Sequence, residues 1–91
     1  MCENHAHTES KRIMNRIARA AGHLQAIGQM VEEGRDCAEV LVQLAAVRSA
    51  VNSIGKLIIS DHMAHCITGA LEHGDDEALC RFTDAMNIYL K

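Results

Sequence analysis

The chain has 91 residues, enough for one domain of ordinary size and too few for a second. Hydrophobic residues make up 48% of it, yet only Phe82 and Tyr89 are aromatic and proline is absent, which excludes a β-sandwich or barrel and favours helices. No uncharged apolar stretch reaches roughly 18 residues, and the polar N-terminus is unlike a signal peptide. We therefore expect a cytoplasmic protein without a membrane partner. The formal net charge of −3 by itself argues against nucleic acid.

The first predicted helix extends from about Thr8 to Glu33, after a mobile tail formed by residues 1–8. Its apolar residues recur at steps of 4 and 3, which is the period of an amphipathic helix. They are Ile13, Ile17, Ala20, Leu24, Ile27 and Val31. Gly34 follows the last of them and is expected to end the helix, because glycine readily takes the left-handed conformation of a helix C-terminus.

The second predicted helix begins with a capping-box pattern, in which Asp36 is the N-cap and Glu39 reaches back to it. No strong helix breaker precedes His73 and Gly74, so this helix is about 35 residues and roughly 50 Å long. Its apolar residues again step by 4 and 3: Val40, Leu44, Val47, Val51, Ile54 and Ile58. A helix of this length cannot cover its own sides within so short a chain. We therefore expect oligomers in which two long helices pair in antiparallel orientation.

A short third helix is predicted to start at Asp75 or Asp76. Its expected buried face consists of Leu79, Phe82, Met86 and Tyr89. The predicted fold is therefore all-α, a single domain over residues 1–91 with three helices and a long second helix. Two such protomers would form an antiparallel four-helix bundle, and two of these dimers a tetramer.

Basic residues are concentrated in the first helix, because no acidic residue occurs from Ser10 to Val31. The basic residues of this segment are Lys11, Arg12, Arg16 and Arg19. Arg12, Arg16, Arg19 and His23 step by 4, 3 and 4, which aligns them along one side of a helix. A solvated helix face is the simpler interpretation. A row of cations that contacts DNA phosphates is the functional one.

Cys37, His62 and Cys66 form a candidate metal site. His62 and Cys66 are one helical turn apart, and Cys37 projects from the same side of the helix. Cys37 is nevertheless roughly 40 Å away along the axis. Two antiparallel helices that cross near Ala50 and Val51 would bring Cys37 of one chain beside His62 and Cys66 of the other. Buried core cysteines, a structural histidine or a disulfide are the alternatives.

These residues together resemble the metal-sensing repressors of the CsoR/RcnR type over most of the chain, from about Lys11 to Leu90. The resemblance depends on Cys37, on His62 and Cys66 placed 25 and 29 residues later, and on several short segments. The segments are Asn15-Arg16-Ile17, Gly22-His23-Leu24, Met30-Val31-Glu32 and Gln43-Leu44-Ala45-Ala46-Val47. The resemblance implies a helical dimer that pairs into a flat tetramer and shares each metal site between protomers. It also implies a repressor that binds operator DNA without metal and releases it on loading.

Within that family the Cys-His-Cys set resembles the copper sensors, so Cu(I) is the first expectation for the bound metal. His5 stands where the nickel and cobalt sensors place an N-terminal histidine, and Ni(II) or Co(II) with His5 as a fourth ligand is the alternative. Asp36 replaces the tyrosine usual before the first cysteine, and Cys80, Arg81 and Phe82 occupy the region of an expected glutamate. Two further alternatives are a thiol-based persulfide sensor and a metal-buffering protein.

The resemblance also assigns DNA contacts. Arg16 matches a basic position of the family on the first helix, while the basic position of the second helix is matched only approximately, by Arg48 or Lys56. No recognisable base-reading module is present, so phosphate contacts and DNA shape would dominate binding. No carboxylate is placed to orient His62 as a catalytic base, and no enzymatic activity is expected.

Overall fold

The structure is a computed structural model that describes residues 9–63, 74 and 76–91. It contains the helices α1 (Ser10–Glu32), α2 (Cys37–His62) and α3 (Asp76–Tyr89), with no strand in these ranges. The predicted all-α class is thereby confirmed. The predicted end of the second helix near residue 72, the N-terminal residues 1–8 and Asp75 lie outside the described residues.

The connection from α1 to α2 is fixed by Gly34, as the sequence predicts. Gly34 has a φ of 72°, in the left-handed region that costs a side chain-bearing residue energy. Its N–H donates to the carbonyl of Val31 over 3.1 Å, and the N–H of Arg35 donates to the carbonyl of Met30 over 2.9 Å. These two bonds form a Schellman motif, which satisfies carbonyls at the end of α1.

The N-terminus of α2 is capped by Asp36, whose Oδ1 lies 3.5 Å from the N–H of Ala38. The second half of the predicted capping box is wrong. Glu39 instead accepts a hydrogen bond of 2.6 Å from the guanidinium of Arg35. This bond and the positive charge of Arg35 lower the pKa of the Glu39 carboxyl, and the same bond and the negative charge of Glu39 raise the pKa of Arg35. A full guanidinium charge attracts the carboxylate more strongly than the backbone N–H of the cap does.

Contacts divide the chain into two units, and the first comprises Lys11–Ile54. Within it α1 and α2 pack in antiparallel orientation, because the start of α1 lies beside the later part of α2 and His23 reaches Gln43. The buried side chains follow a seven-residue spacing on each helix, which is typical of helix pairs that pack along one seam. They are Ile13, Ala20 and Ile27 of α1 with Val47 and Ile54 of α2.

One side of this helix pair, here called the apolar flank, leaves large hydrophobic side chains uncovered. It carries Ile17 and Leu24 of α1, 41% and 51% exposed, and Leu44 and Val51 of α2, 39% and 46% exposed. Their helical phase places all four on the same side of the buried seam. Exposed apolar side chains that form a continuous strip mark an interaction surface.

The apolar surface of α2 also bears on the expectation that no segment can span a membrane. By length and composition alone α2 is long and apolar enough to cross one, so this expectation is not confirmed. Only 6% of its most apolar window is buried within the chain. A helix that packs against a second copy of its own chain in a bundle has the same composition.

The second unit contains the described residues from Gly55 onward, together with Glu9 and Ser10. Here α3 packs on the last turns of α2, where the ring of Tyr89 lies directly against Gly55 and leaves no room for a Cβ. Ala78 and Asp61 are the buried residues of this unit among those described. The predicted buried face of α3 is only half-buried at three positions and is exposed at the fourth: Leu79, Phe82 and Met86, then Tyr89.

Candidate functional site

Cys37 is the first residue of α2, directly after its Asp36 cap. Its side chain is exposed and carries a free thiol. The Schellman turn and the cap together fix the backbone on both sides of this residue. A thiol held in this way at a rigid helix end is available to a ligand or to another chain.

His62 is the last residue of α2 and is half-buried. Its imidazole stacks on the ring of Phe82 from α3, with 4.2 Å between ring centroids and 25° between ring planes. One face of the imidazole is therefore covered, which restricts how the ring can turn. The helical spacing predicts Phe82 only as a residue of the α3 core, and it gives no sign of this stack.

Cys37 and His62 are the two described members of the predicted metal site, and they stand at opposite ends of α2. Cys66 and His5 lie outside the described residues. In the described part of the chain no three histidine, cysteine, aspartate or glutamate side chains cluster closely enough to hold a metal ion. A thiolate and an imidazole do suit Cu(I), and an imidazole also suits Ni(II).

The predicted DNA-contacting side chains of α1 lie on or near its surface. Lys11, Arg12 and Arg19 are exposed, while Arg16 is half-buried. The second-helix candidates Arg48 and Lys56 are exposed as well. Cations that remain accessible to solvent can contact phosphates without first breaking core packing.

His23, which the sequence aligns with the arginines of the first helix, is half-buried between the two helices of the first unit. Its Nε2 lies 2.7 Å from Oε1 of Gln43, so the imidazole and the amide form a hydrogen bond across the α1–α2 seam. In the tautomer with a proton on Nε2, the ring donates and the amide oxygen accepts. This bond orients the imidazole.

A cavity of about 360 Å³ opens on the same side of the helix pair as His23. It is lined by polar side chains from α1 and by small or apolar ones from both helices. The lining residues are Arg16, Arg19, Ala20, His23, Ala50, Ser53 and Ile54. Arg48 and Lys56 are not among them, and Ser53 is the polar residue that α2 contributes.

Comparison with known proteins assigns the family. Residues 9–88 match the family model of the metal-sensitive transcriptional repressor. The copper-sensing transcriptional repressor CsoR of Bacillus subtilis strain 168 is 34% identical over 90 residues, which cover 97% of this chain and 89% of that protein. This chain therefore belongs to the family of metal-sensitive transcriptional repressors, and the resemblance drawn from the sequence is confirmed.

Two solved structures are similar in fold as well as in sequence. The copper-sensing repressor CsoR with Cu(I) from Geobacillus thermodenitrificans NG80-2 has a TM-score of 0.85 and 30% identity, and the match covers 96% of this chain and 92% of that one. The nickel-responsive transcriptional regulator InrS has a TM-score of 0.73 and 37% identity, and the match covers 93% of this chain and 97% of that one. The relatives thus include sensors of different metals.

Proposed function

We propose that this chain is a cytoplasmic Cu(I)-responsive transcriptional repressor that binds operator DNA when free of metal and releases it when loaded. Cys37 of one protomer and His62 and Cys66 of its partner would hold the metal. The observation that carries this proposal is the position of Cys37 and His62 at the two ends of α2, in helical phase with each other. They fall within a sector of about 60° that also contains exposed apolar side chains. These are Leu44, Val51 and Ile58.

The geometry of α2 favours a site shared between two chains. Cys37 and His62 are its first and last residues, and a rise of about 1.5 Å per residue separates them by roughly 37 Å. In an antiparallel two-fold pair that crosses near Val51, the start of one α2 lies beside the end of the other. The apolar flank would supply the contact between the two chains.

A test of the shared site uses chains that each lack a different ligand. Cys37→Ala and Cys66→Ala chains alone should have no intact site, whereas their mixture should restore one high-affinity Cu(I) site in each heterodimer. The matched control mixes His62→Ala with Cys66→Ala, because both changes then damage the same half of the site. Equal Cu(I) binding by the two mixtures, after subunit exchange has been verified, would rule out the shared geometry.

The DNA-binding part of the proposal depends on the basic residues of the first unit. The α1 candidates are Lys11, Arg12, Arg16 and Arg19, with Arg48 and Lys56 as weaker candidates on α2. Arg16→Ala should weaken metal-free binding similarly for different operator sequences and reduce the salt slope by about 1. If affinity and slope both stay unchanged, Arg16 does not contact phosphate.

A Ni(II) or Co(II) sensor is the second candidate, with His5 as a fourth ligand. The similarity to the nickel-responsive InrS at 37% identity favours it specifically. Anaerobic titration with Cu(I) and with Ni(II), followed by thiolate charge-transfer absorption and operator binding together, separates the two. His5→Ala should impair only the response to Ni(II) or Co(II). Release of DNA by a persulfide without metal would indicate a thiol-based persulfide sensor, and metal binding without DNA binding would indicate a metal-buffering protein.

A further inference from the structure

The cavity between α1 and α2 has the composition of an anion site. Arg16, Arg19 and His23 line it from α1, and Ser53 adds a hydroxyl from α2. No carboxylate is among its lining residues, and α1 carries no acidic residue from Ser10 to Val31. Two guanidinium groups without a neighbouring carboxylate create a local positive potential in a chain whose net charge is negative.

The volume and the partial burial of the cavity also suit an oxyanion. Its volume of about 360 Å³ far exceeds the roughly 30 Å³ that one water molecule occupies in the liquid. It therefore admits a tetrahedral oxyanion with part of its hydration shell. Ala20 and Ile54 give it a buried apolar base, and Arg16 beside them is half-buried. Electrostatic attraction is stronger in such surroundings than in bulk solvent.

One polar side chain of the cavity, that of His23, is held in place before any ligand binds. The hydrogen bond of 2.7 Å between His23 Nε2 and Gln43 Oε1 fixes the imidazole at one edge of the cavity. Its donor is taken up by the amide oxygen of Gln43, so the imidazole forms part of the cavity wall, and the two guanidinium groups are the donors to a ligand. The fork geometry of guanidinium groups matches two oxygens of one phosphate.

We propose that this cavity binds one phosphate group, through the guanidinium groups of Arg16 and Arg19 and the hydroxyl of Ser53. A phosphodiester of the DNA backbone and a free phosphate share this chemistry. Binding of a DNA phosphodiester in this cavity rests on the proposed function, whereas binding of a phosphate group as such does not. The cavity lies on the opposite side of the buried seam from the apolar flank. A second copy of the chain bound to the apolar flank would therefore leave the cavity open.

Inorganic phosphate is the probe for the site. Amide and arginine side-chain NMR signals of the full chain are followed while phosphate replaces chloride at constant ionic strength. The Ala20, Ala50 and Ser53 amides should shift along saturable curves. Arg19→Gln should weaken phosphate binding about tenfold or more, the usual effect of losing one charge-assisted hydrogen bond.

The control for this titration is Arg81→Gln, which removes the same charge from an exposed position on α3. It should leave phosphate affinity within about twofold, because Arg81 is not among the residues that line the cavity. Ser53→Ala, a small change that preserves the helix, should weaken binding less than Arg19→Gln does. Shifts that never saturate, or an equal loss in Arg19→Gln and Arg81→Gln, would overturn the proposal.

A second arm identifies the source of the phosphate. Wild-type protein is titrated with a short mixed-sequence duplex at low salt, with and without saturating phosphate at equal ionic strength. If phosphate weakens DNA binding by the wild type but not by Arg19→Gln, the cavity binds a phosphodiester of the DNA backbone. If the wild type binds DNA equally well with and without phosphate, the cavity binds free phosphate and not the DNA backbone. Phosphate binding by a wild-type protein that does not bind DNA at all supports the site while refuting the proposed function.

Discussion

Replacing Val51 by threonine should weaken self-association of this chain roughly 10- to 100-fold. Val51 is 46% exposed, and complete burial of a valine side chain contributes about 1.5–3 kcal/mol. Covering the exposed part therefore contributes about 0.7–1.4 kcal/mol per protomer. A two-fold interface contains this residue twice, which gives about 1.4–2.8 kcal/mol, and each 1.4 kcal/mol is a factor of ten. Threonine keeps the branched shape but places a hydroxyl in the contact, so most of this contribution is lost.

Sedimentation equilibrium over a range of concentrations measures the effect directly. Val42→Thr is the matched control, because Val42 is 67% exposed and lies on the opposite side of the same helix. Its dissociation constant should stay close to that of the wild type. A wild-type protein that is monomeric at micromolar concentration, or an equal change in both variants, would refute the assignment of the apolar flank to a second copy.

The remaining predictions concern single side chains. Gly34→Ala should lower the free energy of unfolding by about 1 kcal/mol in urea titrations because of its positive φ, whereas Gly28→Ala, in open space on α1, should raise it by about 0.5–1 kcal/mol. Phe82→Leu should remove about 0.5–1.5 kcal/mol of stacking and shift the ring proton signals of His62 in the metal-free protein; unchanged signals would contradict the stack. Glu39→Gln should reduce stability at neutral pH, and this difference should vanish as pH falls through the lowered pKa of the Glu39 carboxyl.

Much of the fold could be predicted from the sequence because its signals are local. Gly34 ends α1 and Asp36 caps α2, and each feature depends on backbone groups only a few residues away. The apolar spacing of the two long helices identified the side that contains their buried residues, but at least half of the spaced residues on each helix are not buried within the chain. The capping box was wrong in its second half because the Arg35 guanidinium competes with the backbone N–H of Asp36 for the Glu39 carboxylate, and the guanidinium is the stronger partner.

The features that sequence reasoning missed are contacts between helices. His23 meets Gln43 across 20 positions of the chain, and Phe82 covers His62 from a different helix. Periodicity identifies which side of a helix faces inward, but it does not identify the residue on the facing helix. The cavity beside His23 has the same origin, since Ser53 has no feature in the sequence that marks it as a partner of the α1 arginines.

The two sides of the α1–α2 pair indicate how one small domain could bind both a metal ion and DNA. The apolar flank continues in phase with Cys37 and His62, whereas the arginine-lined cavity opens on the other side of the buried seam. In the proposed dimer, metal ligation would fix the angle between two α2 helices, and each α1 packed on its α2 would follow. Such a rotation would change the distance between the basic surfaces of the two protomers without altering either cavity. Metal and DNA then need no direct contact, and their coupling, typically about 1–3 kcal/mol, must be equal in both directions.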